Sequence, residues 1–329
     1  MTWLGLLRQG RFRIHPSRIA CAVSVSLATP CNTVLAGIQK LVFRKRLAAA
    51  ELHGPPVFII GHWRSGTTLL HELMVLDERY SSPSTFQCFA PHHFLVTEWF
   101  FRRFFSWLLP GKRPIDNMAA GWERPQEDEF ALMNLGLPSP YRHLAFPCEE
   151  PVDLNYLDFR DVDPTALNKW LKSLRNFLLG VSAATGRPLV IKSPTHTGRI
   201  AALAKEFPDA RFIHVTRNPC SLFPSTCRLW AGLADGQGLQ VPRQPTETKN
   251  SGGDLSAELS VEKQYVIDCL RRMYDSFLRD REKVDSNRIV DIRYEDLIAD
   301  PVATLDHVYG SLRLSDFDSV RPVIQEWSD

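Results

Sequence analysis

PPVFIIGHWRSGTTLLHELMVL, residues 55–76, is the stretch on which the reading of the whole chain turns. Val57–Ile60 is a short apolar, β-favouring run between Pro56 and Gly61, the pattern of a buried parallel strand. From Thr67 onward Leu69, Leu70, Leu73, Met74 and Leu76 recur at helical spacing. Between the two lies Gly61-His-Trp-Arg-Ser-Gly66-Thr67-Thr68. Strand, glycine-bounded loop and helix form the setting in which backbone N–H groups and a helix N-terminus hold an anion.

The loop has the outline G-x4-G-K-[ST] of nucleoside-triphosphate loops, with Thr67 where the lysine belongs. That lysine reaches the β- and γ-phosphates, and a donor with one phosphate before its transferable group does not require it. Nor does an apolar strand end in a magnesium-holding Asp. Both features argue against an ATPase or kinase. On the loop alone, a glycine turn without a ligand stays open.

Working outward, Pro188–Lys192 (PLVIK), Arg211–Thr216 (RFIHVT) and Arg288–Arg293 (RIVDIR) read as further strands. Helices are expected over Asn168–Leu179, Ile200–Phe207, Glu258–Lys283 and Pro301–Leu314. The alternation predicts an α/β fold, a doubly wound parallel β-sheet flanked by helices in three α/β/α layers. Gly232–Gly253 reads as a long loop. Residues 92–110 are densely aromatic, with Trp99, Phe100, Phe104, Trp107 and Leu108 near helical spacing. A core helix is the first reading there; a lid over an apolar acceptor, or an interfacial helix, is the second.

The bulk composition sets limits. The chain has 329 residues, 44% hydrophobic and 23% charged, enough for a sizeable core. A net charge of +2 excludes a strongly basic nucleic-acid protein, so any anion site is local. Seven cysteines without a CxxC pair match no zinc or disulfide framework, and free buried thiols in a reducing, cytoplasmic setting are expected. Residues 19–39 carry no charge and are flanked by Arg8, Arg11, Arg13 and Arg18 before and Lys40, Arg44, Lys45 and Arg46 after. A pair of short helices broken at Pro30, packed on the domain or lying on a membrane surface, is expected; a span or a signal peptide is the alternative.

RSGTTLL after an apolar strand resembles the 5′-phosphosulfate loop of the P-loop sulfotransferase superfamily, in its bacterial and tyrosylprotein-sulfotransferase-like branch. That superfamily uses 3′-phosphoadenosine-5′-phosphosulfate (PAPS) and no metal. Its 3′-phosphate site is a strand, an Arg and a Ser eight positions on, and FIHVTRNPCSLFPSTCRLW places Arg217 and Ser225 so. An Arg fork and a hydroxyl two helical turns along face one way. Lys192-Ser-Pro194 resembles the family's KDP or KSP segment, and Arg293-Tyr-Glu-Asp-Leu297 its YEDL signature. The likeness covers residues 55–315, which reads as the catalytic domain. Residues 1–50 are set apart as a basic, apolar helical segment and 316–329 as a tail.

The resemblance implies sulfuryl transfer to a hydroxyl or amine by in-line displacement. Arg64 takes the place of the family's catalytic cation, Lys192 that of a second cation, and Ser65, Gly66, Thr67 and Thr68 bind the 5′-phosphate with Arg64. The base is not carried over: where the tyrosylprotein-like branch has a Glu, this chain reads Ser84-Thr85-Phe86-Gln87. Glu127, within the acidic run Glu127-Asp128-Glu129, is the first candidate and His93 the second, with a solvated acidic turn as the plain alternative. His196 reads as a core or surface histidine before a ligand contact. The acceptor stays open among small molecules, glycans, lipids and peptides, without nucleic acid, as do oligomeric state and peripheral membrane association. A P-loop kinase or NTPase and a non-catalytic nucleotide-binding relative are the rival readings.

Overall fold

A computed structural model describes residues 3–105, 107, 121–241 and 261–328. Its strands are β1 (Val57–Ile60), β2 (Val190–Lys192), β3 (Arg211–Thr216) and β4 (Ile289–Arg293). All pairs are parallel, in the order β2-β1-β3-β4. The helices are α1 (Trp3–Gln9), α2 (Ile19–Val42), α3 (Arg44–Ala48), α4 (Thr67–Met74), α5 (Thr85–Phe89), α6 (Phe94–Phe104) and α7 (Asp128–Asn134). They continue with α8 (Pro164–Thr185), α9 (Ile200–Glu206), α10 (Pro219–Gln237), α11 (Val261–Asp280), α12 (Tyr294–Ala299), α13 (Pro301–Leu312) and α14 (Arg321–Ser328).

The layers follow from the two-residue period of a strand. Phe58 and Ile60 of β1 face a cluster with Trp170, Leu174 and Phe177 of α8 and Leu203 of α9. Val57 and Ile59 face the opposite cluster, with Leu70, Leu73 and Met74 of α4, Leu305, Val308 and Leu312 of α13, and Ile324 of α14. Helices therefore cover both faces, and β1 is apolar throughout because neither side meets water. The expected α/β/α sheet is what the chain forms.

Several boundaries move. Helix α8 exceeds the expected Asn168–Leu179: Asp163 accepts from the N–H groups of Thr165 and Ala166, Pro164 opens the helix, and Gly186 ends it at φ +68°. Helix α10 runs to Gln237, so the first part of the expected Gly232–Gly253 loop is helical; residues 242–253 lie outside the described residues. At the N-terminus one continuous helix, α2, replaces the expected pair broken at Pro30. Contacts on both sides of the proline anchor it: Trp3 Nε1 donates to Ser26 Oγ, and Asn32 and Gln39 reach His93 and the Leu95 N–H. One missing N–H does not end a helix so anchored. The cysteines are free thiols, but only Cys88 and Cys269 are fully buried.

Candidate active site

The loop after β1 is shaped by three residues with left-handed backbones. Gly61 has φ +144° and Gly66 φ +100°. A Cβ on Gly61 would lie 2.5 Å from the Val215 carbonyl oxygen of β3, and one on Gly66 2.1 Å from the ring of Tyr294. Only glycine fits either place. Between them Arg64 holds φ +68°, a conformation costing a side-chain-bearing residue about 1 kcal/mol or more. The Gly61 N–H donates to Thr197 Oγ1 at 2.7 Å, pinning the loop to the segment after β2. Among the described residues no side chain caps α4, which leaves its first N–H groups available to an anion.

Cationic groups gather here. Arg64 Nε donates to Ser225 Oγ of α10 at 3.0 Å, and Arg217 Nη1 donates to the Arg64 carbonyl at 2.8 Å. The Arg217 guanidinium lies 4.3 Å from the centroid of Tyr294, the ring that covers Gly66. Thr226 Oγ1 donates to the Trp63 carbonyl at 3.1 Å, so α10 clasps the loop from outside. Lys192, at the end of β2, is buried, and its Nζ stands 2.6 Å from Glu127 Oε1. Tyr141 Oη donates to Glu127 Oε2 at 2.5 Å, and Trp63 Nε1 donates to Tyr141 Oη at 2.7 Å.

The acidic run is no solvated turn. Asp128 and Glu129 are wholly buried at the start of α7. Arg199 grips Glu129 with two nitrogens, at 2.5 and 3.1 Å, while Ser139 and Thr195 donate to the same carboxylate. Its guanidinium also lies 4.6 Å from the Trp170 ring centroid. Asp128 accepts from Ser193 Oγ at 2.6 Å and meets His196 Nε2 at 2.8 Å. Burial works against ionisation of both carboxyls, but His196 for Asp128 and Arg199 for Glu129 outweigh it and hold them below their usual range. Burial, with Glu127 beside it, pushes the Tyr141 hydroxyl well up, so it stays a donor.

A strand–loop–helix with three cations at the C-terminal edge of a parallel sheet has the chemistry to suit a phosphorylated ligand. A model of the sulfotransferase family matches residues 55–319. The chain belongs to the sulfotransferase family. It is 40% identical over 325 residues to the omega-hydroxy-beta-dihydromenaquinone-9 sulfotransferase Stf3 of Mycobacterium bovis and of Mycobacterium tuberculosis, covering 99% of this chain and 80% of theirs. In fold it is similar to the sulfotransferase STF9 of Mycobacterium avium, with TM-score 0.67 at 20% identity over 91% of this chain and 75% of that one. It is likewise similar to STF1 of Mycobacterium tuberculosis, with TM-score 0.64 at 20% identity over 98% and 85%. This chain is thus a sulfotransferase, and the kinase reading falls away.

Within this candidate site, Arg64, Arg217 and Ser225 are joined by hydrogen bonds, as are Lys192 and Glu127. Gly66, Thr67 and Thr68 sit at the mouth of α4. Ser65 is fully enclosed: its N–H donates to the His62 carbonyl at 3.1 Å, and its hydroxyl is buried beside Gly61. His93 is not drawn to this cluster. Its Nδ1 meets Thr97 Oγ1 at 2.8 Å and its Nε2 meets Asn32 Oδ1 at 3.2 Å, so it binds α6 to α2. His196 is a core residue, edge-on to Phe58 and Trp170.

Trp63, Tyr141, Thr197 and Tyr294 were not singled out as site residues from the sequence. Trp63 lies in the quoted loop and Tyr294 in the quoted Arg293–Leu297 segment, and the cover of Tyr294 over Gly66 gives that segment a physical role. Ser84 and Gln87, in the stretch searched for a carboxylate, form a capping box for α5. The carboxylate that meets them is Glu98 of α6, at 3.1 and 3.0 Å.

Proposed function

We propose that this sulfotransferase takes the sulfuryl group from PAPS and delivers it to a hydroxyl of an apolar, quinone-type isoprenoid lipid. The observation that carries the donor assignment is the pair of hydrogen bonds tying Arg64 to Ser225 and Arg217, because they join the residues suited to the 5′- and 3′-phosphates in one cluster. Gly66, Thr67 and Thr68 at the start of α4 suit the 5′-phosphate, with Ser65 shaping the turn. The lipid acceptor is inferred from the menaquinone-derived substrate in the name of the 40% identical relatives.

In this reading Glu127 takes the proton of the acceptor hydroxyl as its oxygen bonds to sulfur. The bond from sulfur to the bridging phosphate oxygen breaks, and Arg64 receives the charge that develops there. Lys192 stabilises the equatorial sulfuryl oxygens, so most of the rate comes from placement and electrostatics. Lys192 and Glu127 already touch, which sets the second cation beside the base. Tyr141, itself held by Trp63, keeps the carboxylate turned toward that place.

Calorimetry with 3′,5′-adenosine diphosphate against ATP tests the donor. Tighter binding of the former, weakened by Arg217→Ala, is expected, and preference for ATP would overturn the assignment. Arg64→Ala should lower transfer to a hydroxylated isoprenoid quinol by about 100- to 1,000-fold; near-normal turnover would remove Arg64 from the chemistry. Transfer to peptides in place of the quinol would overturn the acceptor.

A further inference from the structure

Helix α2 wears its apolar residues outward. Ile19, Val23, Leu27, Val34, Ile38 and Leu41 succeed one another at steps of four, four, seven, four and three, so they share one face. All are exposed, Leu27 at 71% and Leu41 at 81%. Apart from Val25, polar and small residues take the opposite side: Asn32 and Gln39 bind α6 and its entry, and Ala22 packs into a cluster with Leu7, Phe146 and Leu239.

The hydroxyls of α2 are turned back on the helix. Ser24, Ser26, Thr29 and Thr33 donate to the carbonyls of Cys21, Ala22, Val25 and Thr29 at 2.8, 2.7, 2.8 and 2.9 Å. Groups satisfied in this way need no water and can enter an apolar medium. Beside α2, helix α6 exposes Trp99, Phe100 and Phe104, and Trp107 follows at 74% exposure. Aromatic side chains of this kind favour the headgroup level of a bilayer. Exposed Arg8, Arg11, Lys40, Arg44, Lys45 and Arg103 lie on α2 or on segments next to it in sequence or in contact with it.

We propose that the α2–α6 face docks on an anionic lipid bilayer, with α2 lying in the interface. Pro16–Val42 has the length and composition to cross a membrane. Its contacts at Ala22, Ser26, Asn32 and Gln39 instead hold it side-on to the domain along its length, and crossing would strip them. The basic residues supply the complement to anionic headgroups, and the stripe and aromatic residues the insertion. The docking does not depend on which acceptor the enzyme uses, although a lipid acceptor would be met at its source.

Flotation of the purified full chain with vesicles tests the docking. Binding to vesicles containing phosphatidylglycerol should exceed binding to pure phosphatidylcholine by roughly tenfold and fall as salt rises. The triple variant Leu27→Glu/Val34→Glu/Leu41→Glu should lose roughly tenfold or more of that binding with its melting temperature unchanged. Wild-type protein that stays off the vesicles, or a folded triple variant that floats as well as wild type, would overturn the proposal. Protection of α2 from protease after alkaline washing would replace docking by a span. A dimer of the wild type that the triple variant dissolves would assign the stripe to a second copy. Nucleotide calorimetry reads the donor site separately, so either proposal can fail alone.

Discussion

Around the loop between β1 and α4, Asp128, Glu129, Lys192, His196 and Arg199 are charged or polar and buried, and each meets a partner at hydrogen-bond distance. Along α2 the relation is reversed: Ile19, Leu27, Val34 and Leu41 are apolar and exposed, without a protein surface over them among the described residues. Both arrangements run against the ordinary sorting of residues by water. The first is tolerated because paired charges and their hydrogen bonds offset desolvation, which frames Arg64, Lys192 and Glu127. The second has no internal compensation, which is the physical reason for seeking its complement outside the chain.

Breaking the buried half should have the largest effect. Arg199→Met leaves Glu129 enclosed without its cation and should cost about 3–5 kcal/mol in urea unfolding. The double variant Arg199→Met/Glu129→Gln should recover part of that loss; a single-variant cost typical of a surface position would show that the pair carries no structural weight.

A smaller effect comes from pH. Burial lowers His62 to about 4, and burial followed by the charge of Lys192 lowers His71 to about 3, from an ordinary 6.5. Because these folded-state values are depressed, the unfolded chain binds protons first, and the stability they contribute is complete above pH 6.5. It is lost as pH falls from 6.5 through the folded values, by about 2 kcal/mol per histidine at pH 5. The urea midpoint should therefore drop between pH 7 and 5. His71→Gln should flatten part of the slope, and a midpoint constant across that range would exclude neutral buried histidines.

The exposed half should respond least to folding assays. Leu41→Ser ought to shift unfolding by no more than about 0.5 kcal/mol, since nothing of the core is removed. A loss of several times that size would mean that the stripe is covered in the free protein and would remove the contrast.

The fold was legible because it rests on local patterns. Val57–Ile60 and Arg211–Thr216 form strands over the ranges read from their apolar runs, and the alternation with helices yields the parallel sheet. Errors fall where tertiary contact outweighs a local signal: Pro30 inside α2, and the aromatic segment first read as core. Phe94 is buried and Phe101 packs on the core, but Trp99, Phe100, Phe104 and Trp107 point out. Helical spacing says which residues share a face, not which face meets the protein.

For the site, the sequence by itself determined the loop, because Gly61, Gly66 and the uncapped start of α4 are properties of a short contiguous segment. It also marked Lys192 and Arg217 at strand ends, and Ser225 in the helix that follows Arg217. Only the tertiary structure decided what those residues meet. Glu127 reaches Lys192 across 65 residues, Tyr141 turns the same carboxylate, and Tyr294 lies on Gly66 from far along the chain. The acidic run could be a wet turn or a paired core until Arg199 and His196 were placed against it. Charge pairing across long separations leaves no period in the sequence, because it depends on which strand ends the sheet order sets side by side.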